Sequence, residues 1–585
     1  MSMKRLFLRF FQAFFLALPL LLSCGKDDSA PAKEQTENTG TTGDAFPAHD
    51  DYRIYVIDET GWDAIALYMW GAVNDLGGKW PGIQPWGKVT VKGQEYTWFP
   101  LKVEGAYGMA EHLIFNNNNG GAQLADVALT FGTKADYFFR VKATGATAFD
   151  GGSTLTVEVD NGPIRAAATK LTDLEAAQRN AWSIYQVNPK LYGASGAFGK
   201  IQARLDDIAA LGIDVLYLMP IYKEGKLKSI GSPYCIGNLK ELNSAFGTLD
   251  ELKVLVDAAH GKGMKVILDW VANHTAWDSP WITAHKDWYA QDASGNIVCP
   301  TADGTWSDVA QLNYKSAELR AEMADCMRYW METAGIDGFR CDYAHGPTGS
   351  KTGDLDAFWK EAISALRADY PSLIMLAESD FPKMFDDGFD IIFSRASKSR
   401  LITAFSGGSV SSFFSTYKSA LSKATAPSTI LLYVTNHDDA SETSPVTEFH
   451  SKEGALAAFV LMRALNTSTL LYGSQEVGFA GTIDFCKTQT FSWTSQPDYF
   501  SAYKQAMTAL ATLKRDQAAQ VYAAGPFVMV VYPDAAVLVN TSERVVEATL
   551  PAALSGKSFR DGVTGKTVSL PSELKVEGFS WQILL

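Results

Sequence analysis

The sequence predicts an α/β fold, a (β/α)8 TIM barrel with an N-terminal β-sandwich before it and a C-terminal β-sandwich after it, and three observations lead there. From about residue 181, short apolar runs alternate with amphipathic helical runs eight times over some 330 residues, the pattern a closed parallel barrel requires. Ahead of them, from about 50 to 160, apolar and polar residues alternate in short runs between Gly/Asn/Asp turns. Behind them, from about 517 to 585, short alternating runs return without helices, the signature of antiparallel strands. A chain of 585 residues also exceeds what one hydrophobic core normally serves.

The eight barrel strands are expected at 182–187, 215–219, 265–269, 338–342, 373–378, 389–393, 429–434 and 469–472, with helices over 199–211 and 249–262 among the connections. They define a barrel domain over 176–515 with an inserted subdomain at 275–313, an N-terminal domain at 49–160 and a C-terminal one at 516–585. Residues 24–48 have almost nothing to bury and read as a flexible tether. Residues 1–23 read as a signal peptide: Lys4, Arg5 and Arg9 precede an apolar run from Phe10 to Leu22 that is too short to span a membrane comfortably.

Hydrophobic residues make up 47% and charged residues 20%, a globular balance. A formal charge of −14 argues against nucleic acid, whose phosphates need a basic surface, and leaves a neutral polymer as an easy partner. Of the six cysteines, Cys24 ends the leader and Cys235, Cys299, Cys326, Cys341 and Cys486 remain. An odd set cannot fully pair, no zinc spacing is present, and these read as buried thiols. Five of fifteen tryptophans, Trp62, Trp70, Trp80, Trp86 and Trp98, fall in the N-terminal domain. Some must be core, but flat aromatic faces are also what the apolar face of a sugar ring stacks on.

Active sites of such barrels lie where strands end and loops begin. Asp269, Asp342 and Glu378 end strands three, four and five, and Asn436-His437-Asp438 follows strand seven. Arg340 and Asp342 are two residues apart, so both point into the barrel. The guanidinium is expected to lower the pKa of Asp342 and suit it to act as a nucleophile. Glu378 follows five apolar residues, and burial beside another carboxylate is expected to raise its pKa and keep a proton available. A nucleophile and an acid/base flanking one bond is the division of labour in retaining glycoside hydrolysis.

Asp269-Trp270-Val271-Ala272-Asn273-His274, Gly338-Phe339-Arg340-Cys341-Asp342, Glu378 and Asn436-His437-Asp438 resemble, in order, the four motifs of the α-amylase family, glycoside hydrolase family 13. The resemblance implies that Asp342 is the nucleophile, Glu378 the acid/base and Asp438 the transition-state stabiliser. It also implies that His274 and His437 bind sugar hydroxyls, that Arg340 orients the nucleophile with Asp269 as its structural partner, and that Tyr234, in Ser232-Pro233-Tyr234, stacks on the sugar. The chemistry then needs no cofactor. Family members often hold a structural calcium ion, for which Asn273 is the candidate ligand here. Gln311-Leu312-Asn313 has Gln where those members place Asp, so calcium stays an open expectation, since a hard cation wants carboxylates among its six or more oxygens. After the nucleophile, His345-Gly346 replaces the frequent Lys-His pair.

Leu21-Leu22-Ser23-Cys24 is similar to the lipobox of bacterial lipoproteins, and Lys26-Asp27-Asp28 to the surface-export signal of Bacteroidetes lipoproteins. These imply lipidation at Cys24, an outer-membrane location exposed at the cell surface, and other surface glycan-uptake proteins as partners. Trp80-Pro81-Gly82 with Tyr68 and Trp70 resembles starch-binding modules of carbohydrate-binding family 26, which makes Trp70 and Trp80 candidate glycan contacts. The activity so implied is endo-cleavage of α-1,4 bonds in starch, maltodextrin or maltooligosaccharides. A neopullulanase-like or maltogenic hydrolase or a transglycosylase keeps the same motifs. A non-catalytic surface starch-binding protein is the reading from another class, and has no need of the three acids.

Overall fold

The computed structural model describes residues 42–43, 52–71, 80–91, 94–101, 110–118, 122–125, 127–128, 136–142, 145–148, 155–156, 158–164, 181–346, 355–425, 428–514 and 518–585. They belong to two compact units, Met1–Gly152 and Ser153–Leu585. The expected signal peptide, Cys24 and the tether apart from residues 42 and 43 lie outside the described residues. No helix among those described is long and apolar enough to cross a membrane.

In the first unit the strand Tyr52–Glu59 sits inside a six-stranded sheet, between Gln94–Leu101 and Asp136–Lys142, and Ala66–Gly71 pairs with Ala110–Asn116 in a three-stranded sheet. Strand alternation sorts the side chains. Ile54 and Val56 join Leu67, Met69, Leu113, Phe115, Phe139 and Val141 in one core shared by both sheets, while Tyr55, between them, packs the opposite way against Val89 and Val91.

In the second unit eight strands close into a barrel in chain order: β1 (Ser183–Val187), β2 (Val215–Leu218), β3 (Lys265–Val271), β4 (Gly338–Asp342), β5 (Ile374–Ala377), β6 (Ile391–Phe393), β7 (Thr429–Tyr433) and β8 (Ser468–Tyr472). Period-2 alternation again decides the faces. Ile184, Tyr217, Ile267, Leu376, Leu431 and Leu470 fill the barrel interior, while Leu216, Leu268, Cys341, Met375 and Leu432 turn outward to the helices. Strand β3 runs past Asp269, because its ladder with β4 continues through Asp269↔Arg340 to Val271↔Asp342. That register sets the acid of one strand beside the guanidinium of the next.

The helix expected over 199–211 is two, Ala197–Gln202 and Leu205–Ala210. The break is at Arg204, whose guanidinium turns inward to Glu476 (3.2 Å) and the Tyr192 hydroxyl (3.2 Å) and lies over Trp493. The next helix, Leu249–His260, starts at a capping box of Thr248 and Glu251. The insertion after β3 opens and closes on an antiparallel pair, His274–Ala276 with Val309–Gln311.

One expected boundary is corrected. Residues 155–164 belong to the second unit and not to the N-terminal domain drawn to 160: Leu155–Thr156 pairs with Ala548 and Thr549, and Glu158–Ile164 pairs with Ala519–Ala524. Without that strand, Ala519–Ala524 would be an open edge. The resulting five-stranded sheet, ending in Trp581–Leu584, packs Val528 and Val530 toward the barrel helices and Phe527 and Met529 toward the strands Val546–Thr549 and Glu573–Val576.

Gly338, the first residue of β4, allows a very close approach: a Cβ there would stand 2.0 Å from the carbonyl oxygen of Ile374 on β5. Gly338→Ala is expected to cost about 3 kcal/mol by forcing β4 and β5 apart, read as a lowered midpoint in denaturant unfolding.

Candidate active site

The site is built around a guanidinium that cannot reach water. Arg340 points from β4 into the barrel with a side chain 1% exposed, and three carboxylates surround it. Asp269 lies at 2.7 Å and Asp342 at 3.0 Å from Nη1, and Glu378 at 3.1 Å from Nη2. Asp269, with no exposure, also accepts from the hydroxyls of Tyr217 (2.5 Å) and Tyr234 (2.8 Å). It is thereby fully occupied as a structural anion. Asp342 and Glu378, 15% and 10% exposed, face the open end of the barrel.

His437 joins this network from the loop after β7. Gln186 on β1 donates to Nδ1 (2.9 Å), so Nε2 carries the proton and faces the Tyr234 hydroxyl at 2.7 Å, with Asp438 at 3.4 Å. The tautomer follows from these partners. Tyr234 stacks on the His437 ring at 5.2 Å. Asn436 caps the helix His437–Glu442 by accepting from the amide of Asp439, which fixes the turn that presents His437 and Asp438. Burial holds both His437 and His274 near a pKa of about 4, so both are neutral hydrogen-bonding groups at physiological pH.

The two carboxyls divide their electrostatics opposite to expectation. Burial alone would raise Glu378, but Arg340, Arg395 and the donated N–H of Tyr343 (2.8 Å) outweigh it and bring it down to about 2. Asp342 is raised well above the usual range by burial, which Arg340 opposes and the charges of Glu378, Asp269 and Asp438 reinforce. The expectation failed because Arg340 is shared among three acids, while Glu378 alone has a second arginine. Loss of hydration and the charge of Glu378 push Asp438 up as well.

Sequence reasoning missed Arg395, Gln186, Tyr217 and Trp306. Arg395 stands two residues past β6, and the rule that singled out acids at strand ends would have found it had it been applied to cations. Gln186 and Tyr217 are polar side chains on fully buried strands, and that placement is the signal for them in the sequence. Trp306, from the insertion, packs edge-on against His274 (6.0 Å) and Tyr343 (5.2 Å), and Tyr343, His345 and the exposed Phe381 continue this aromatic wall. Trp70 and Trp80 lie in the first unit, where Tyr68 packs against both, at 5.9 and 5.3 Å, and Trp80 is 40% exposed.

The residues around Asn273 do not fit a calcium ion. The amide Nε2 of buried Gln311 donates to the Asn273 carbonyl (2.9 Å), the Leu312 carbonyl (3.0 Å) and Asn273 Oδ1 (3.2 Å). A hydrogen-bond donor stands where three oxygens converge, and a hard cation requires those oxygens free and carboxylates beside them. Among the described residues no cluster of three His, Cys, Asp or Glu side chains could hold a metal. Two results are expected from this packing. A chelator should leave the thermal midpoint unchanged, and Gln311→Leu should destabilise by about 2–3 kcal/mol by orphaning buried carbonyls, with calcium failing to restore it in calorimetry.

Residues 172–356 match the model of the alpha-amylase catalytic domain. The chain is 30% identical over 293 residues to the alpha-1,4-glucan:maltose-1-phosphate maltosyltransferase of Rhodospirillum rubrum, covering 45% of this chain and 41% of that protein. It is 26% identical over 361 residues to the alpha-amylase MalA of Haloarcula japonica, covering 58% and 50%. The chain thus spans half or less of the length of these curated relatives. Among solved structures, a maltogenic alpha-amylase, AmyB, from Thermotoga neapolitana superposes with a TM-score of 0.59 at 22% identity, over 71% of this chain and 99% of that one, which is a likeness of fold. Residues 172–356, which hold β1 to β4 with Arg340 and Asp342, thus match the alpha-amylase catalytic domain, and the closed barrel that they begin has the fold of the solved alpha-amylase it superposes on.

Proposed function

We propose that this chain cleaves or transfers α-glucosidic bonds of starch-derived maltooligosaccharides with retention of configuration. The observation that carries the reading is the convergence of Asp342, Glu378 and Asp438 on one barrel mouth around Arg340. In the first step Asp342 attacks the anomeric carbon while Glu378 gives a proton to the departing glycosidic oxygen. In the second, Glu378 takes a proton from water or an acceptor hydroxyl, which displaces Asp342. Asp438 and the neutral His437 and His274 hold hydroxyls of the sugar being transferred, and Arg340 fixes the nucleophile.

Within that class we favour release or transfer of maltosyl units over the endo-cleavage expected from the sequence, because a relative aligned at 30% identity over 293 residues is named a maltosyltransferase. Products from a defined maltooligosaccharide series separate the readings. Maltose, or maltosyl-extended oligomers, as sole early products supports the maltosyl reading, and a ladder of intermediate lengths from amylose supports endo-cleavage. Asp342→Asn should lower kcat at least 10³-fold, an estimate for loss of a group acting in the transition state, with glucan binding retained in affinity electrophoresis. Unchanged turnover would remove Asp342 from its role.

The same reading extends to the flanks. The N-terminal unit is a β-sandwich that holds insoluble starch through Trp70 and Trp80, the C-terminal sheets are a second β-sandwich, and Cys24 carries a lipid that displays the enzyme on the outer membrane beside other glycan-uptake proteins. Deleting residues 49–152 is expected to weaken adsorption to insoluble starch more than it slows cleavage of short maltooligosaccharides. Equal losses in the two assays would reduce the unit to a structural part.

A further inference from the structure

Glu378 is held on both oxygens by donors. Oε2 accepts from the amide of Tyr343 (2.8 Å) and lies 3.1 Å from Arg340, deep in the barrel. Oε1 accepts from Arg395 Nη2 at 2.7 Å, and no other bond to it occurs among the described contacts. An acid that is to protonate a leaving oxygen must turn its own hydrogen toward an acceptor. Oε2 cannot do so while it serves Arg340, which is locked among three acids, and Oε1 is therefore the oxygen that meets the substrate. The guanidinium of Arg395 occupies that position in the free protein.

Arg395 is also the cation that can leave. It is the first residue of the helix Arg395–Phe405, its side chain is 29% exposed against 1% for Arg340, and it already contacts a second carboxylate, Asp380, through Nη1 at 3.2 Å. We propose that Arg395 is a positioning residue that covers Oε1 of Glu378 in the free enzyme and yields it to the glycosidic oxygen of the substrate, retaining Asp380 as its partner. The inference rests on Glu378 being the acid/base.

The groups facing Glu378 set the consequence. They are Arg340, Asp342 and Tyr343 from the end of β4, Arg395 and Asp380 from the far side of β5 and β6, Tyr217 and Tyr433 from the barrel wall, and His437 and Asp438 after β7. With Arg395 in place Glu378 favours the charged form, while Asp342 and Asp438 are raised toward the neutral one. When Arg395 withdraws, Glu378 loses one of the two cations that favour its charge and holds a proton more readily.

The test is the pH dependence of cleavage of an unactivated maltooligosaccharide by Arg395→Met. The ratio kcat/KM reports the free enzyme and kcat the bound one. Removing the cation raises the pKa of Glu378 in the free enzyme, so the alkaline limb of kcat/KM is expected to move up by about one unit or more, while the limb of kcat, measured after Arg395 has already left, stays in place. Arg395→Lys, which keeps a charge, should leave both limbs near their native positions. A shift of both limbs together, or of neither, overturns the proposal. Should Arg395→Met not fold, Asp380→Asn carries the test: it removes the second partner, and an expected several-fold rise in KM at constant kcat is set against an unchanged KM, which would overturn it. Glu378→Gln separates the two levels. If it cleaves the same substrate at the native rate, the acid/base reading itself falls, whatever Arg395 does.

Discussion

A positive charge sealed inside a barrel governs the rest of this site. Arg340 has essentially no contact with solvent, and such a charge is tolerated only where opposite charges and hydrogen bonds replace its hydration. Asp269, Asp342 and Glu378 supply the charges, and they come from three consecutive strands, so the register of β3 on β4 and of β4 on β5 is tied to the electrostatics as firmly as to the apolar packing. Tyr217, Tyr234, His437 and Gln186 extend the same network across to β1 and β7. The barrel mouth is in this sense one polar body set into an apolar wall.

Three acids around one arginine leave an excess of negative charge, and the excess decides where protons reside. The second arginine breaks the tie. Glu378, touched by Arg340, Arg395 and a backbone amide, takes the charged form, while Asp342 and Asp438 are pushed toward the neutral one. For the roles proposed for Glu378 and Asp342 this distribution is the reverse of what bond cleavage needs, and the proposed exchange of Arg395 for a sugar oxygen would give the approach of a substrate a chemical task beyond binding.

The barrel was legible in the sequence because most of its strands are short apolar runs with polar residues at or near their C-terminal ends, and Asp342, Glu378, Arg340 and His437 could be singled out from those places. What escaped depended on partners far apart in the chain. Arg395 matters only because Glu378 lies within reach across the β5–β6 connection. The direction of the Glu378 and Asp342 shifts needed a count of neighbours that periodicity does not supply. Gln311 differs from an acid by one atom, but the structure adds that its amide nitrogen is the group turned toward the three oxygens. The break at Arg204 is of the same kind, since a helix-compatible sequence yields to a buried ion pair with Glu476.

The strand Glu158–Ile164 lies at one edge of the C-terminal sheet and Trp581–Leu584 at the other. The catalytic half therefore begins and ends in the same sheet, and its smallest intact piece is not the barrel that its motifs delimit. A chain trimmed at 176 would keep every active-site residue and still strip the sheet of its first strand, turning the backbone groups of Ala519–Ala524 into a template for self-association. The segment ahead of the barrel is in effect the first clasp of the domain that follows it.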